Sequence, residues 1–388
     1  MKKLAIIISH PIQYYAPTFK VLAEYCRLKV FYTIGNTNTV LYDTGFKRDV
    51  EWDIPLLEGY EYEFIENTAK KPGTDHFNGI SNPQLINRVK AFNPDKILVY
   101  GWAHKSHLKL MWYFKGKTEI WFRGDSTLLD ENSVLKKTFR KVFLKSIYRY
   151  IDYAFYAGFA NKAYFKAFGL NEDQLIFLPH AIDNSRFAQD RMPEAEALRS
   201  KLNIKAHEIL ILFAGKLEPK KDPVLLLQAF LALKNIDTHL LFVGNGVLEQ
   251  QLKTMVINHS AWADSKPAKN VHFIDFQNQS QMPVVYQACD LFCLPSKGPG
   301  ETWGLAVNEA MAAGKAILVS DKVGCAANLI KVNVNGYIFE NQNIESLMLN
   351  LTKALTNKNS LTEMGKNSSE LIETYSFQEQ VNTILKHL

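Results

Sequence analysis

Glu301 and Glu309 are separated by seven residues in the segment LPSKGPGETWGLAVNEAMAA, Leu294 to Ala313, with Gly304 between them. Ionised carboxylates only accept hydrogen bonds, so two of them in one site suit the hydroxyls of a polyol better than further anions. From Gly304 the chain carries apolar Leu305, Ala306, Val307, Ala310, Met311 and Ala312 before Gly314, which predicts a helix with a glycine stop. Glu301 then lies in the preceding loop and Glu309 inside the helix. The first amides of a helix lack internal partners and carry partial positive charge, so a Gly-rich loop feeding one is an anion site. Phosphate is its obvious guest. In FAGKLEPKKDP, Phe213 to Pro223, a strand ending at Ala214 delivers Gly215, Lys216, Lys220 and Lys221, and Pro223 opens an apolar helix. Cations at the carboxyl end of a strand are where an α/β domain holds a pyrophosphate, with a solvated basic loop as the other reading.

The elements that must position these residues follow from alternation of short apolar runs with helical patterns, the mark of parallel sheets with crossover helices. Strands are expected at 4–8, 28–33, 96–100, 119–122, 153–156 and 175–178 in the first half. In the second half they are expected at 209–214, 239–243, 271–274, 291–294 and 316–319. The polar segment Asp183 to Leu202, with Pro193, separates the two series and is expected to be the hinge. This predicts domains over 1–188 and 189–375, followed by a last segment, 376–388.

A chain of 388 residues with 47% hydrophobic and 22% charged residues has the composition of a globular protein large enough for two such domains. The formal charge of +6 is modest and gives weak support for an anionic partner, without singling out nucleic acid. Cys26, Cys289, Cys293 and Cys325 form no C-x-x-C pair, so neither a zinc site nor a disulfide framework is suggested and a reducing cytoplasm is expected. The apolar run Leu4 to Ile8 is ended by His10, Pro11 and Gln13, so it reads as a first buried strand, not a signal peptide.

The segment with Pro295, Ser296, Glu301, Gly304, Leu305, Glu309, Ala310, Met311, Ala312 and Gly314 resembles the E-x7-E signature of the retaining family 4 (GT4) glycosyltransferases. Thr302 and Trp303 depart from the usual Gly and Phe, and the loop through Lys297, Gly298, Pro299 and Gly300 is longer. The resemblance implies the GT-B fold: α/β, two Rossmann-like doubly wound parallel-sheet domains facing each other across a cleft. It implies a nucleotide-sugar donor site in the second domain, with Lys216 and Lys221 on the diphosphate, Glu309 on ribose hydroxyls and Glu301 on the transferred sugar. Gly215, Gly244 of Gly244-Asn245-Gly246, Gly304 and Leu305 would bring backbone to the nucleotide, and Phe276 and Gln277 would line its base. LPHAID, Leu178 to Asp183, is similar to the family's P-N-G-V-D turn, and Phe377 to Leu388 to its last helix, which returns to the N-terminal domain.

The first half should hold the acceptor. His10 and Gln13 of SHPIQYYAP follow the first strand, in a pattern that resembles surface-polysaccharide glycosyltransferases. His104 of GWAHKSH stands near where relatives place a histidine that touches the donor sugar, with Trp102 and His107 as alternatives. Arg123 and Asp125 of FRGDS could meet a polar acceptor or form an internal ion pair. Between Lys136 and Arg149, Lys137, Lys141, Lys145 and Arg149 recur every four residues, with Phe139, Val142, Phe143 and Ile147 on another face. Such a helix lies on anionic lipid or packs its apolar side into the domain. The expectation is an enzyme moving a sugar from a nucleoside diphosphate sugar, UDP or GDP, to a glycan or lipid-linked saccharide, with no cofactor and no metal, in the cytoplasm or at the inner face of the membrane. A non-catalytic GT-B binding subunit and a GT-B nucleotide-sugar epimerase or hydrolase are the alternatives.

Overall fold

The computed structural model describes residues 1–36, 41–43, 48–130, 134–233, 237–262 and 266–388. The chain divides into two compact units, one of Met1–Val40, Ile54–Ala181 and Ser376–Leu388, the other of Leu41–Asp53 and Ile182–Tyr375.

The first unit is built on a seven-stranded parallel sheet in the order Glu61–Phe64, Arg27–Tyr32, Lys3–Ile8, Lys96–Tyr100, Glu119–Arg123, Tyr153–Tyr156, Leu175–Phe177. Both faces are covered, which is why the central strands are apolar without a break. Side chains alternate across a strand. Ala5 and Ile7 therefore join one core with Leu110, Leu144 and Phe165 from helices Lys105–Phe114, Val134–Tyr148 and Phe159–Ala167. Leu4, Ile6 and Ile8 join another with Phe19 of helix Ala16–Leu22 and with Val381 and Ile384 of helix Phe377–His387. The last helix is pinned by the buried amide of Gln380, which accepts from Thr18 Oγ1 at 2.6 Å and donates to Pro179 O at 2.6 Å.

The second unit has a six-stranded parallel sheet in the order Val271–Ile274, Thr238–Val243, Ile209–Ala214, Leu291–Leu294, Ala316–Ser320, Gly336–Phe339. Ile209, Ile211 and Phe213 pack with Leu226, Phe230 and Leu351 on one face, while Leu210 and Leu212 are buried on the other. The segment expected as a hinge contains helices Asn184–Ala188 and Met192–Lys201 of this unit. Gln287 ties the first of them down by donating to Phe187 O and Gln189 O.

All eleven expected strands are present. Glu61–Phe64 and Gly336–Phe339 were not anticipated. Both are sheet edges, and the first, EYEF, exposes Glu61 and Tyr62, so it lacks the apolar run by which a central strand announces itself. Also unanticipated is the antiparallel pair Leu41–Asp43 and Arg48–Val50.

In each sheet the chain builds outward in one direction and then restarts on the other side of its first strand. Ligands of open α/β sheets bind outside the carboxyl ends of the strands at this switch point. In the second unit it lies between Ile209–Ala214 and Leu291–Leu294, and in the first between Lys3–Ile8 and Lys96–Tyr100.

Candidate functional site

The switch point of the second unit is where the two chemistry-bearing segments leave the sheet. After Ala214 the chain turns at Gly215, φ +146°, and after Val243 it turns at Gly244, φ +130°. A Cβ on Gly244 would lie 2.2 Å from Gly215 O, and one on Gly246 2.4 Å from Leu217 O. The glycines of Gly244-Asn245-Gly246 are thus required by the backbone of the 215–217 loop itself. Leu217 N donates to Asn245 O at 2.9 Å, and Phe276 N donates to Asn245 Oδ1 at 2.9 Å, so Asn245 joins three strand ends.

The lysine loop closes with the short 3-10 turn Pro219–Lys221 and with Asp222 at φ +48°. It is stitched to the glutamate loop: Lys297 N donates to Lys220 O at 2.9 Å, and Lys297 Nζ lies 3.3 Å from Asp222 Oδ1. The stitching brings Lys221 Nζ to 2.8 Å from Glu301 Oε2, which also accepts from Ser296 Oγ at 3.0 Å. Glu301 is buried at 9% exposure. Burial pushes its carboxyl upward, but the Lys221 ammonium and the Ser296 hydroxyl outweigh that and hold it below the usual carboxylate range. Lys216 is half-buried at the start of the loop, and Lys220 Nζ lies 3.4 Å from Glu218 Oε1.

Gly304, φ +96°, caps helix Leu305–Ala312, and a Cβ there would stand 2.9 Å from Val323 Cγ1 and 3.2 Å from Leu294 Cδ2. Only glycine lets the helix begin this close to the strand end. Glu309 is buried within that helix, where its Oε2 accepts from Tyr286 OH at 2.8 Å. Gly324 N donates to Glu301 O at 3.1 Å, and a Cβ on Gly324 would fall 1.8 Å from Thr302 O. Trp303, where the family pattern has Phe, is buried and donates from Nε1 to Asn308 Oδ1 at 2.8 Å. Sequence reasoning missed Tyr286 and Gly324, whose roles depend on partners more than 20 residues away in sequence. Ser296 was read only as a motif position.

Phe276 and Gln277 follow strand Val271–Ile274. The Phe276 ring lies 6.3 Å from that of Trp52, and Gln277 Nε2 turns back to Asp275 O at 3.0 Å. The loop is held by residues far earlier in the chain: Asn278 Nδ2 donates to Glu51 O at 2.6 Å, and Ser280 N donates to Asp53 Oδ2 at 3.1 Å. Nothing in the sequence near Trp52 signals this contact.

In the first unit, His10, Gln13 and His104 occupy the loops leaving its switch point. His10 Nδ1 lies 2.9 Å from Ser9 Oγ, and burial, then the neighbouring His104, lowers its affinity for a proton. Gln13 is half-buried in the turn before helix Ala16–Leu22. His104 caps helix Lys105–Phe114, and its Nδ1 is buried without a hydrogen-bond partner. Its proton affinity is lowered, chiefly by burial. The alternative His107 is a core residue, its Nδ1 2.8 Å from Gly101 O and its Nε2 2.8 Å from Thr33 Oγ1. Of the two places expected for Arg123, on an acceptor or in an internal network, the structure gives it the internal one. It is 1% exposed and donates from Nη1 to Leu178 O at 2.6 Å, with Nη2 3.4 Å from His180 Nδ1. Asp125 stands at the end of this internal network, Oδ1 3.2 Å from His180 Nε2 and Oδ2 accepting from Tyr15 OH at 3.3 Å, with 38% of its side chain exposed. Burial opposes its charge, but His180 and Arg123 prevail and hold the carboxyl well below the usual range.

Among the described residues one set of side chains is close enough to share a metal ion: His207, Glu208 and Asp237. They sit beside the starts of strands Ile209–Ala214 and Thr238–Val243, at the end of the sheet opposite Gly215 and Gly244. Glu208 there already accepts from Lys205 N and faces His239 Nε2 at 3.2 Å.

Residues 194–371, which hold both motifs, match the family model described as Glycosyl transferases group 1. The chain is 28% identical over 190 residues to the lipopolysaccharide 1,2-N-acetylglucosaminetransferase of Salmonella typhimurium, covering 47% of this chain and 48% of that one. It is 27% identical over 199 residues to the D-inositol 3-phosphate glycosyltransferase of Gordonia bronchialis, covering 49% and 42%. The chain thus spans about half the length of these curated relatives. Over its whole length it superposes on HepE of Anabaena, solved in complex with UDP and glucose, with a TM-score of 0.72 at 16% identity, covering 100% of this chain and 99% of that one. The likeness identifies the two parallel-sheet units as those of the GT-B fold.

Proposed function

We propose that this protein is a retaining, metal-independent glycosyltransferase of the family 4 type, which moves a sugar from a nucleoside diphosphate sugar to a glycan or lipid-linked saccharide of a bacterial surface polysaccharide. The observation that carries the reading is the Lys221 to Glu301 contact at 2.8 Å, set at the switch point of the group 1 domain. An ammonium and an ionised carboxylate side by side suit a ligand that is anionic at one end and hydroxylated at the other, as a sugar diphosphate is. UDP and GDP are the donor nucleotides we favour. HepE, whose fold this chain shares, was solved with UDP and glucose.

The difficult step is cleavage of the sugar to phosphate bond through an oxocarbenium-like state while charge gathers on the departing diphosphate. Lys216, Lys221 and the first amides of helix Leu305–Ala312 stabilise that charge. Glu301 orients hydroxyls of the transferred sugar, and Glu309, fixed by Tyr286, orients those of the ribose. In the front-face course the leaving phosphate takes the acceptor proton, so no dedicated base is required. The acceptor meets the first unit, with His10, Gln13, His104 and Asp125 as its contacts. The enzyme works at the inner face of the cell membrane; among the described residues no helix is long and apolar enough to cross one.

The test is incubation with UDP- and GDP-sugars and a panel of saccharide and lipid-linked acceptors, with and without EDTA, and NMR of the product's anomeric configuration. Transfer with retention and full activity in EDTA is expected. Donor consumption without an acceptor product, or an inverted product, would overturn the reading.

A further inference from the structure

Helix Val134–Tyr148 carries two apolar stripes, and only one of them is used by the fold. Leu144, Ile147 and Tyr148 are 1–3% exposed and belong to the core of the first unit. Phe139, Val142 and Phe143 repeat the same spacing five residues earlier, which turns them about 140° around the helix from the core stripe. They are 79%, 72% and 54% exposed. The apolar face expected to pack inward is therefore split: Ile147 is core, and the other three face water. Phe143 is flanked by the half-buried ring of Trp102, 5.6 Å away. Leaving two phenylalanines and a valine bare on one helix is costly for a surface whose task is only to be wetted.

The charge around the stripe says what covers it. From Val134 to Arg149 there is no Asp or Glu, and there are six cations: Lys136, Lys137, Arg140, Lys141, Lys145 and Arg149. Arg140, Lys141, Lys145 and Arg149 are exposed; the side chains of Lys136 and Lys137 lie outside the described residues. Long basic side chains beside outward aromatics are the pattern of a helix that lies in a membrane interface, rings among the acyl chains and ammonium groups at the phosphates. A second copy of the chain would bring the same cations face to face, which argues against self-association as the cover.

We propose that this helix seats the protein on an anionic lipid bilayer, with Phe139, Val142 and Phe143 inserted and Arg140, Lys141, Lys145 and Arg149 on the headgroup phosphates. The seat works without donor or acceptor, so it stands or falls separately from the transfer reaction.

The experiment is flotation of the full chain with vesicles of phosphatidylcholine alone or mixed with phosphatidylglycerol, across a salt series, with no nucleotide present. Binding is expected only to the anionic vesicles and is lost as salt rises. The triple variant Phe139→Ser, Val142→Ser, Phe143→Ser should bind on the order of 10- to 100-fold more weakly with an unchanged melting temperature, because the side chains it alters touch little of the core. Lys141→Ala and Lys145→Ala should each cost about fivefold. Wild-type protein that stays with the solvent, binds both vesicle types alike or floats as well after the triple substitution would overturn the proposal. So would a sedimentation experiment in which the triple variant dissolves a dimer while vesicle binding is absent.

Discussion

Replacing Lys221 with methionine should cost about 2–3 kcal/mol of folding stability at neutral pH, because it strips the cation from a carboxylate that has little water to fall back on. Removing one partner of a fully buried pair costs about 3–5 kcal/mol. Here the Lys221 side chain keeps 15% exposure and Ser296 still donates to Glu301, so the cost falls at or just below the lower end of that range. The linkage has a definite sign. Glu301 titrates below its ordinary value of 4.5 in the folded protein, so its stabilising contribution is complete above pH 4.5 and is lost as pH falls through the folded value. In the variant that depression is gone, and the gap between wild type and variant should close on acidification. Urea unfolding at several pH values measures this. A double-mutant cycle with Glu301→Gln should give a coupling energy of about 1–3 kcal/mol. Affinity for UDP or GDP, by calorimetry, should drop about 10- to 100-fold in Lys221→Met, the worth of one charge-assisted hydrogen bond to phosphate. A coupling below about 0.5 kcal/mol would refute the electrostatic argument. Unchanged nucleotide affinity would remove Lys221 from the donor site.

Gly244→Ala should lower stability by about 2–4 kcal/mol in thermal or urea unfolding, since its Cβ would meet Gly215 O at 2.2 Å. Gly116→Ala, at φ +76° with nothing within 4 Å of the added atom, should cost only about 1 kcal/mol of backbone strain. Tyr286→Phe should cost about 1.5–3 kcal/mol by removing a hydrogen bond to the buried Glu309 carboxylate, and nucleotide titration should show a matching loss of affinity if Glu309 holds the ribose. Burial lowers the His107 pKa from 6.5 to about 4, so the unfolded chain binds the extra proton between those values. Stability should fall by about 3 kcal/mol as pH drops across that window, and NMR titration of the His107 ring should show it still neutral at pH 5.5.

The sequence alone determined eleven of the thirteen parallel strands among the described residues, because strands buried on both faces are short apolar runs whose length sets them apart from the helical patterns between. It also picked out Gly215, Lys221, Glu301, Gly304 and Glu309 as candidates, since each lies within a few residues of a strand end or a helix start. Tertiary structure decided what local pattern leaves open. The lysine and glutamate loops lie some 80 residues apart in sequence, yet the strand order makes their strands neighbours, and only then do Lys221 and Glu301 touch. The same applies to Tyr286 on Glu309 and to Trp52 beside Phe276. Arg123 is a further case: the sequence left it either on an acceptor or in an internal pair, and His180 and the Leu178 carbonyl, folded over it from a later strand end, make it internal. The basic helix turns on the same distinction. Its periodicity is legible in the sequence, but which of two equally spaced apolar stripes faces the core depends on how the helix is rotated against the sheet, and that is settled by the packing of Leu144, Ile147 and Tyr148.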